Sequence, residues 1–199
     1  PVSADLENCY GHEPEVVAET IRLTAEAGCA GGSVEDATGS EDGSIYEFTL
    51  AVERVRGAVQ AAGSVEGGFV VTARAENYLF GHNDLKDTIR RLQAYEEAGA
   101  DVLFAPGLTK ADDIKTVLKE ISRPLNVILI PGLALSASEL FELGVSRLST
   151  GGGLARAAYG EMVRAARELQ TQGTRGYLER AISSPKLNGI LSGLPNLTL

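Results

Sequence analysis

The sequence predicts an α/β fold, and within that class a (β/α)8 TIM barrel, from three observations. Six strand-like runs alternate with segments of helical periodicity along the 199 residues, which is typical of repeated βα units around a parallel sheet. Glycines follow four of the helical segments, at Gly28, Gly63, Gly99 and Gly144, as is common at helix C-termini. Charged side chains end several consecutive strands, where the active sites of barrels lie. This last observation favours the barrel over the competing open, doubly wound sheet.

The elements follow one another in a regular order. The predicted strands cover residues 1–7, 30–35, 69–75, 101–106, 125–130 and 147–150. Three apolar stripes at helical spacing predict helices packed on the core: Leu85, Ile89 and Leu92; Ile114, Val117, Leu118 and Ile121; Ala158, Met162, Ala165 and Leu169. A complete barrel has eight such units and about 250 residues. Since the chain also begins without Met inside a strand-like run, we expect about the first two βα units to be absent from it.

Two regions are predicted along the chain. Residues 1–174 form the barrel domain, as units three to eight, and residues 175–199 form a C-terminal tail. Within the tail, residues 175–180 are predicted to be helical and residues 183–189 to form a loop. Leu187, Ile190, Leu191 and Leu194 are apolar, so we expect the tail to bury them, with a neighbouring subunit as one candidate surface.

Composition excludes several classes of function. A net charge of -9 argues against nucleic-acid and anionic-membrane partners, which need a basic face. No apolar run approaches the roughly 20 residues that span a bilayer. Cys9 and Cys29 lack zinc-site spacing, and we interpret them as reduced thiols in a cytoplasmic protein.

Carboxylates at two strand ends predict a metal site. Asp5 and Glu7 are two residues apart on the first strand, so both point to the same face. Glu35 ends the next strand and, if it faces inward, adds a third carboxylate at the same end of the barrel. Asp36 either joins this group of carboxylates or caps the following segment. Inward carboxylates need a compensating cation, and Mg²⁺ prefers such oxygen ligands. A surface turn with two solvated acids is the alternative for Asp5 and Glu7.

Two further strand residues are candidates for binding substrate. Arg74 lies on one strand face with Glu76, and its guanidinium is suited to holding a substrate carboxylate. A purely structural pair with Glu76 is the alternative. Asn126 is inward if the strand parity holds, and it either donates to the substrate or satisfies backbone groups.

Two glycine-rich segments also lie at predicted strand ends. Gly151, Gly152 and Gly153 precede a helix, a position where backbone N–H groups can bind phosphate, although a tight turn explains them equally well. Residues 37–44 are polar and glycine-rich, as expected of either a mobile lid or an ordinary connection.

Together these motifs resemble one family. Asp5-x-Glu7-x-x-Tyr10-Gly11, the Val34 to Asp36 triplet, Ala73-Arg74, Asn126 and the glycines before Leu154 occur in the order and spacing of the isocitrate lyase/phosphoenolpyruvate mutase superfamily. The resemblance is to its carboxyphosphonoenolpyruvate phosphonomutase-like branch and covers residues 1 to about 174.

The resemblance implies a TIM barrel of the phosphoenolpyruvate mutase/isocitrate lyase type that uses Mg²⁺. It implies cleavage or rearrangement of a C–C or P–C bond of a small 2-oxo or enolpyruvate acid through an enolate-like species. Asp5 resembles the principal metal-linked aspartate, Glu7 and Glu35 the carboxylates that hold the ion largely through water, and Arg74 the substrate-carboxylate ligand. Catalytic roles are thus expected for Arg74, Asp5 and Glu35. Family members also exchange their last helix between subunits, which implies a homodimer or homotetramer.

The chain departs from the family pattern in the predicted lid. Residues 37–48 contain no Cys, Lys, Arg or His, which disfavours isocitrate or methylisocitrate lyase activity. The Lys- and Asn-bearing lid motif of the mutase is absent too. A non-catalytic or ligand-sensing barrel and a phosphate-binding barrel isomerase are the alternatives to a Mg²⁺-dependent lyase.

Overall fold

The computed structural model describes residues 1–193 and shows one parallel sheet of six strands in the order β1-β2-β3-β4-β5-β6. Its strands are β1 (Ser3–Asp5), β2 (Gly31–Glu35), β3 (Val70–Arg74), β4 (Val102–Phe104), β5 (Leu125–Ile128) and β6 (Arg147–Ser149). Each lies inside a run predicted from the sequence. The helices are α1 (Pro14–Glu26), α2 (Phe48–Ala62), α3 (Leu85–Glu97), α4 (Ala111–Glu120), α5 (Ala137–Glu142), α6 (Gly153–Gln172) and α7 (Ser184–Leu191), with a 3-10 helix at Gly176–Glu179.

The main core lies between the sheet and its helices. Strand residues of one parity are buried there: Val34, Val71, Ala73, Leu103, Leu125 and Val127. Helix residues of the predicted stripes meet them, among them Leu92, Ile114 and Val117, which are fully buried. Because side chains alternate along a strand, the opposite parity projects to the concave face of the sheet. The predicted α/β class is therefore confirmed as a curled parallel half-barrel, and the two further units stay a prediction.

Close packing of α1 on α2 depends on one glycine. A Cβ atom added at Gly57 would lie 2.8 Å from the carbonyl oxygen of Pro14, closer than side-chain carbons approach backbone. The missing side chain lets the start of α1 contact α2 directly.

One local prediction beyond residue 150 is wrong. Residues 183–189 were expected to form a loop, but most of them belong to α7, which has Pro185 in its first turn, where proline favours helix initiation. The helix α6 carries the predicted apolar stripe but has no buried residue, and Met162 and Leu169 are exposed. Hydrophobic periodicity shows that a helix has an apolar face, but not what covers it.

The chain divides into two compact units, Pro1–Gly151 and Gly152–Leu199. The second contains α6, the 3-10 helix and α7, and is held internally by an ion pair between Arg180 and Glu161 at 2.8 Å. The last six residues of the predicted tail, residues 194–199 with Leu194, lie outside the described residues. None of the helices described is both long and apolar enough to cross a membrane.

Candidate active site

Arg74 is the centre of the candidate site. It ends β3, and its guanidinium contacts three carboxylates: Nη1 lies 2.8 Å from Asp5 Oδ1, Nη2 lies 2.9 Å from Glu35 Oε2, and Nε lies 2.8 Å from Glu76 Oε1. The sheet register explains the convergence, because Glu35 pairs directly with Arg74 across β2 and β3. Arg74 therefore forms the structural pair with Glu76 and also has the predicted inward position.

The environment of the three carboxylates differs sharply. The side chain of Asp5 is 73% exposed, that of Glu35 13% and that of Glu76 1%. Burial raises the pKa of Glu35, against the opposing effect of Arg74, and nearby Asp5, Glu7 and Asp36 add to the rise. Burial likewise raises the pKa of Glu76, to about 7. Burial alone would lower the pKa of Arg74, but Glu76, Glu35 and Asp5 outweigh it and raise the pKa.

A cavity of about 390 Å³ opens on the concave face in front of Arg74. Polar groups on its wall include Ser3, Asp5, Ser33, Arg74, Asn126, Arg147 and Ser149, and apolar ones include Leu79, Phe104, Pro106, Ile128 and Ile130. The ring of Phe104 lies 5.4 Å from the Arg74 guanidinium carbon, a favourable cation–π distance. Gly151 also borders the cavity.

Asn126 has the predicted inward orientation. Its Nδ2 donates to the Ser149 hydroxyl at 3.0 Å, and its Oδ1 is buried without a hydrogen-bond partner among the described residues. The amide therefore does not serve the backbone, which was the alternative expected from the sequence. A buried acceptor without a partner is costly, and Asn126 is one of the residues that line the cavity.

Glu7 lies in a strained segment after β1. Glu7, Cys9 and Tyr10 have φ angles of 50°, 59° and 60°, a region that costs a non-glycine residue about 1–3 kcal/mol. The Glu7 side chain is exposed. Cys9 is buried, and burial raises the pKa of its thiol to about 12, so the thiolate needed for a nucleophile does not form near neutral pH.

The carboxylates fit a metal ion held through water better than one held directly. Among residues 1–193, no group of three His, Cys, Asp or Glu side chains is close enough to bind a metal directly. One oxygen of Asp5 accepts from Arg74 and from Ser33 Oγ, which leaves the other open on an exposed side chain. Because one guanidinium faces three carboxylates, the group of four side chains carries excess negative charge. A hard dication that keeps several waters, as Mg²⁺ does, suits this donor set.

The segment 37–44 is a closed turn held by its own hydrogen bonds. Ala37 and Ile45 form an antiparallel bridge, and the hydroxyls of Thr38 and Ser44 lie 2.7 Å apart. Its lid function stays a prediction.

Sequence reasoning missed two buried arginines beside the site, Arg54 and Arg91. They are 1% and 6% exposed, and both lie within apolar faces of helices, Arg54 between the buried residues Ala51, Val55 and Ala58. The sequence pattern that could have identified them is an arginine within the apolar stripe of a helix. Such a position predicts a buried charge, and a charge is buried only with strong partners.

Comparisons with known proteins identify the family to which the chain belongs. Residues 1–170 match the family model described as phosphoenolpyruvate phosphomutase. A solved structure from Burkholderia cenocepacia, described in general terms as a lyase/mutase, is 51% identical with a TM-score of 0.92, and the match covers 98% of this chain and 70% of that chain.

Two curated enzymes are also similar. The 2-methylisocitrate lyase of Escherichia coli is 32% identical over 116 residues, which are 55% of this chain and 38% of that enzyme. The oxaloacetate decarboxylase of Pseudomonas fluorescens is 27% identical over 151 residues, which are 73% of this chain and 50% of that enzyme. The chain spans about half the length of curated relatives that it matches. Because the family model covers most of the chain, the protein belongs to the phosphoenolpyruvate phosphomutase family of the phosphoenolpyruvate mutase/isocitrate lyase superfamily.

Proposed function

We propose that the protein is a Mg²⁺-dependent enzyme that cleaves or rearranges a C–C or P–C bond of a small 2-oxo or enolpyruvate acid through an enolate-like species. One observation carries the proposal: Arg74 is held by three carboxylates at the wall of a cavity. An anchored guanidinium beside surplus negative charge can bind an anionic substrate and a dication together.

Asp5, Glu7 and Glu35 are the proposed metal-holding residues. Asp5 offers an open oxygen, and Glu35 is fixed by Arg74 at 2.9 Å. Mg²⁺, when bound, would polarise the 2-oxo oxygen and offset the charge that develops as the bond breaks.

Arg74 is the proposed ligand of the substrate carboxylate. A guanidinium has five N–H groups, and its three carboxylate contacts use at most three of them. The remaining N–H groups can donate to a substrate without disturbing the anchoring contacts. This rigidity favours catalysis, since orientation is fixed before the substrate binds.

Asn126 and the apolar wall complete the proposed site. The free amide oxygen of Asn126 accepts from a hydroxyl or a bound water, and Ser149 fixes the amide at 3.0 Å. Phe104, Ile128 and Ile130 line the same cavity and limit the access of water to an enolate-like species.

The relatives narrow the reaction class. Their names specify oxaloacetate decarboxylation and 2-methylisocitrate cleavage, both reactions of small organic acids at a C–C bond. The absence of Cys and basic residues from positions 37–48 favours a decarboxylase- or hydrolase-like reaction over 2-methylisocitrate cleavage.

We also infer that the protein acts in the cytoplasm as a homo-oligomer. The 20-residue helix α6 has no buried residue and exposes Leu154, Tyr159 and Met162, an apolar surface that a second copy of the chain would cover.

The proposal is tested by calorimetric titration with oxalate, a mimic of the enolate, with and without Mg²⁺. We expect oxalate to bind only with Mg²⁺, and Asp5→Asn to abolish this binding. Asp112→Asn is the matched control, because Asp112 is 95% exposed on α4. A folded protein that binds no oxalate at millimolar Mg²⁺ would refute the proposal. Oxalate binding without turnover of any 2-oxo acid would instead favour the ligand-sensing alternative.

A further inference from the structure

Arg54 on α2 is a buried arginine without a carboxylate partner. It is 1% exposed, and no ion pair to it occurs among the described residues. Nη1 donates to the carbonyl oxygens of Gly11 and His12, both at 2.6 Å, and Nη2 donates to that of Asn8 at 2.5 Å. Three carbonyls of one short loop therefore converge on a single guanidinium.

The loop that Arg54 contacts is the strained one. Glu7, Cys9 and Tyr10 have left-handed φ angles, a conformation that persists only where the surroundings enforce it. Converging carbonyl dipoles repel one another unless a cation lies among them. Arg54 supplies that cation, and its planar fork carries donors on separate nitrogens, whereas an ammonium group carries all of its donors on one.

This loop connects directly to the carboxylates of the candidate site. Glu7 immediately precedes Asn8, and the Glu7 carbonyl accepts from the N–H of Glu35 at 3.1 Å. A shift of the loop would therefore move the Glu7 side chain and the backbone partner of Glu35 together.

A second contact holds Arg54 in place. Its guanidinium carbon lies 4.2 Å from the centre of the Tyr46 ring, and the Tyr46 N–H donates to the carbonyl of Asp36 at 2.7 Å. Arg54 thus lies between the loop after β1 and the backbone that follows β2.

We propose that Arg54 is a positioning residue that holds the strained loop at residues 7–12, and with it Glu7 and Glu35, in the geometry that binds Mg²⁺. This inference rests on the proposed function, because it assigns a role within the same metal site. Arg54 touches neither the cavity nor the proposed ligands, and acts through the backbone.

The test is Mg²⁺ affinity in folded variants, measured by calorimetry, with circular dichroism and urea unfolding as checks of folding. Arg54→Lys keeps the charge but loses the fork, and we expect its Mg²⁺ affinity to fall about 10- to 100-fold, as is typical when support of metal ligands is removed. Arg56→Lys is the matched control, since Arg56 is exposed two residues further along α2, and its affinity should equal that of the wild type.

The outcomes separate the two proposals. A folded Arg54→Lys variant that binds Mg²⁺ within about twofold of the wild type would overturn the positioning role while leaving the metal site intact. If the wild-type protein itself binds no Mg²⁺, both proposals fail.

If Arg54→Lys does not fold, variants of Tyr46 test the same inference. Tyr46→Leu removes the ring beneath the guanidinium, whereas Tyr46→Phe keeps it. We expect the Leu variant to bind Mg²⁺ several-fold more weakly than the Phe variant, and equal affinities would overturn the inference.

Discussion

The end of strand β2 places two adjacent carboxylates in opposite environments. Glu35 projects to the concave face and pairs with Arg74, while Asp36 projects towards the helices and pairs with Arg91 at 3.0 Å. The two arginines thus organise two neighbouring clusters, one at the cavity and one in the layer behind it.

In the cluster around Arg91, both oxygens of the Asp36 carboxylate accept hydrogen bonds. Asp36 Oδ2 accepts from Arg91 Nη1 and, at 2.6 Å, from the Tyr95 hydroxyl, and Asp36 Oδ1 accepts from the Glu76 N–H at 2.7 Å. Burial raises the pKa of Asp36, against the opposing effects of these partners. The cluster joins the ends of β2 and β3 to α3, so its role is to hold the fold.

The cluster around Arg74 has carboxylate oxygens that are free to accept further hydrogen bonds. Asp5 is largely exposed, and Oε2 of Glu76 is buried without a partner in the described part of the chain. An exposed carboxylate and a buried oxygen without a partner add nothing to a purely structural ion pair. A binding site, in contrast, needs polar groups that are free to contact a ligand. From this comparison we propose that the Arg74 cluster binds a ligand and that the Arg91 cluster holds the fold, and four substitutions test this difference.

The largest effect is expected at Asp36. Asp36→Ala leaves the hydroxyl of Tyr95 and the N–H of Glu76 without their acceptor and removes one of the two carboxylates that pair with Arg91. We expect a loss of about 3–5 kcal/mol in the free energy of unfolding. Urea unfolding measures it, with Asp112→Ala as the exposed control. A loss below about 1 kcal/mol would remove the distinction between the clusters.

Glu76, which touches both clusters, should make stability depend on pH. Its pKa is raised from 4.5 to about 7 in the folded protein, so the folded state holds the proton longer than the unfolded state. The stability this proton contributes is complete below pH 4.5 and is lost as pH rises through about 7, by up to about 3 kcal/mol.

The variant Glu76→Gln does not titrate and keeps an acceptor for Arg74. We therefore expect its unfolding free energy to fall less than that of the wild type between pH 5 and 8, because other groups contribute equally in both proteins. Parallel pH profiles would show that Glu76 is charged in the fold throughout.

Tyr95→Phe should have a smaller effect. It removes one hydrogen bond to a buried carboxylate, worth about 1.5–3 kcal/mol, while the ring stays packed. The exposed Tyr159 provides the control Tyr159→Phe, which should leave unfolding unchanged. Equal stability of both variants would mean that the Tyr95 hydroxyl does not help to hold Asp36.

Glu35→Gln should change stability least. Burial already disfavours the charged form of Glu35, so we expect a change within about 1 kcal/mol. Its Mg²⁺ affinity should nevertheless fall about tenfold or more in calorimetry, whereas the exposed Glu142→Gln should match the wild type. A destabilisation as large as that of Asp36→Ala would place Glu35 in the structural cluster.

Strand periodicity predicted the inward face of the sheet well. The two-residue repeat placed Asp5, Glu7, Glu35 and Arg74 on one face, and the structure brings Asp5, Glu35 and Arg74 together. The prediction is wrong for Glu7, because β1 ends at Asp5 and the backbone of Glu7 is left-handed. It also placed Asn126 inward, where it lines the same cavity. These predictions hold because alternation along a strand is a local property of the backbone.

Partners distant in the chain were beyond prediction. Arg54 binds carbonyls more than 40 residues before it, and no local pattern encodes those acceptors. The helix α7 was missed because Ser183, Pro185, Asn188 and Gly189 give the segment the composition of a loop.

The sequence by itself determined the α/β class, the six strands and the face on which the candidate site lies, since each depends on the spacing of neighbouring residues. Only the tertiary structure decided which arginine serves the cavity and which serves the core. That choice depends on burial and on hydrogen-bond partners from other strands and helices, and these come together only when the sheet curls and the helices pack against it.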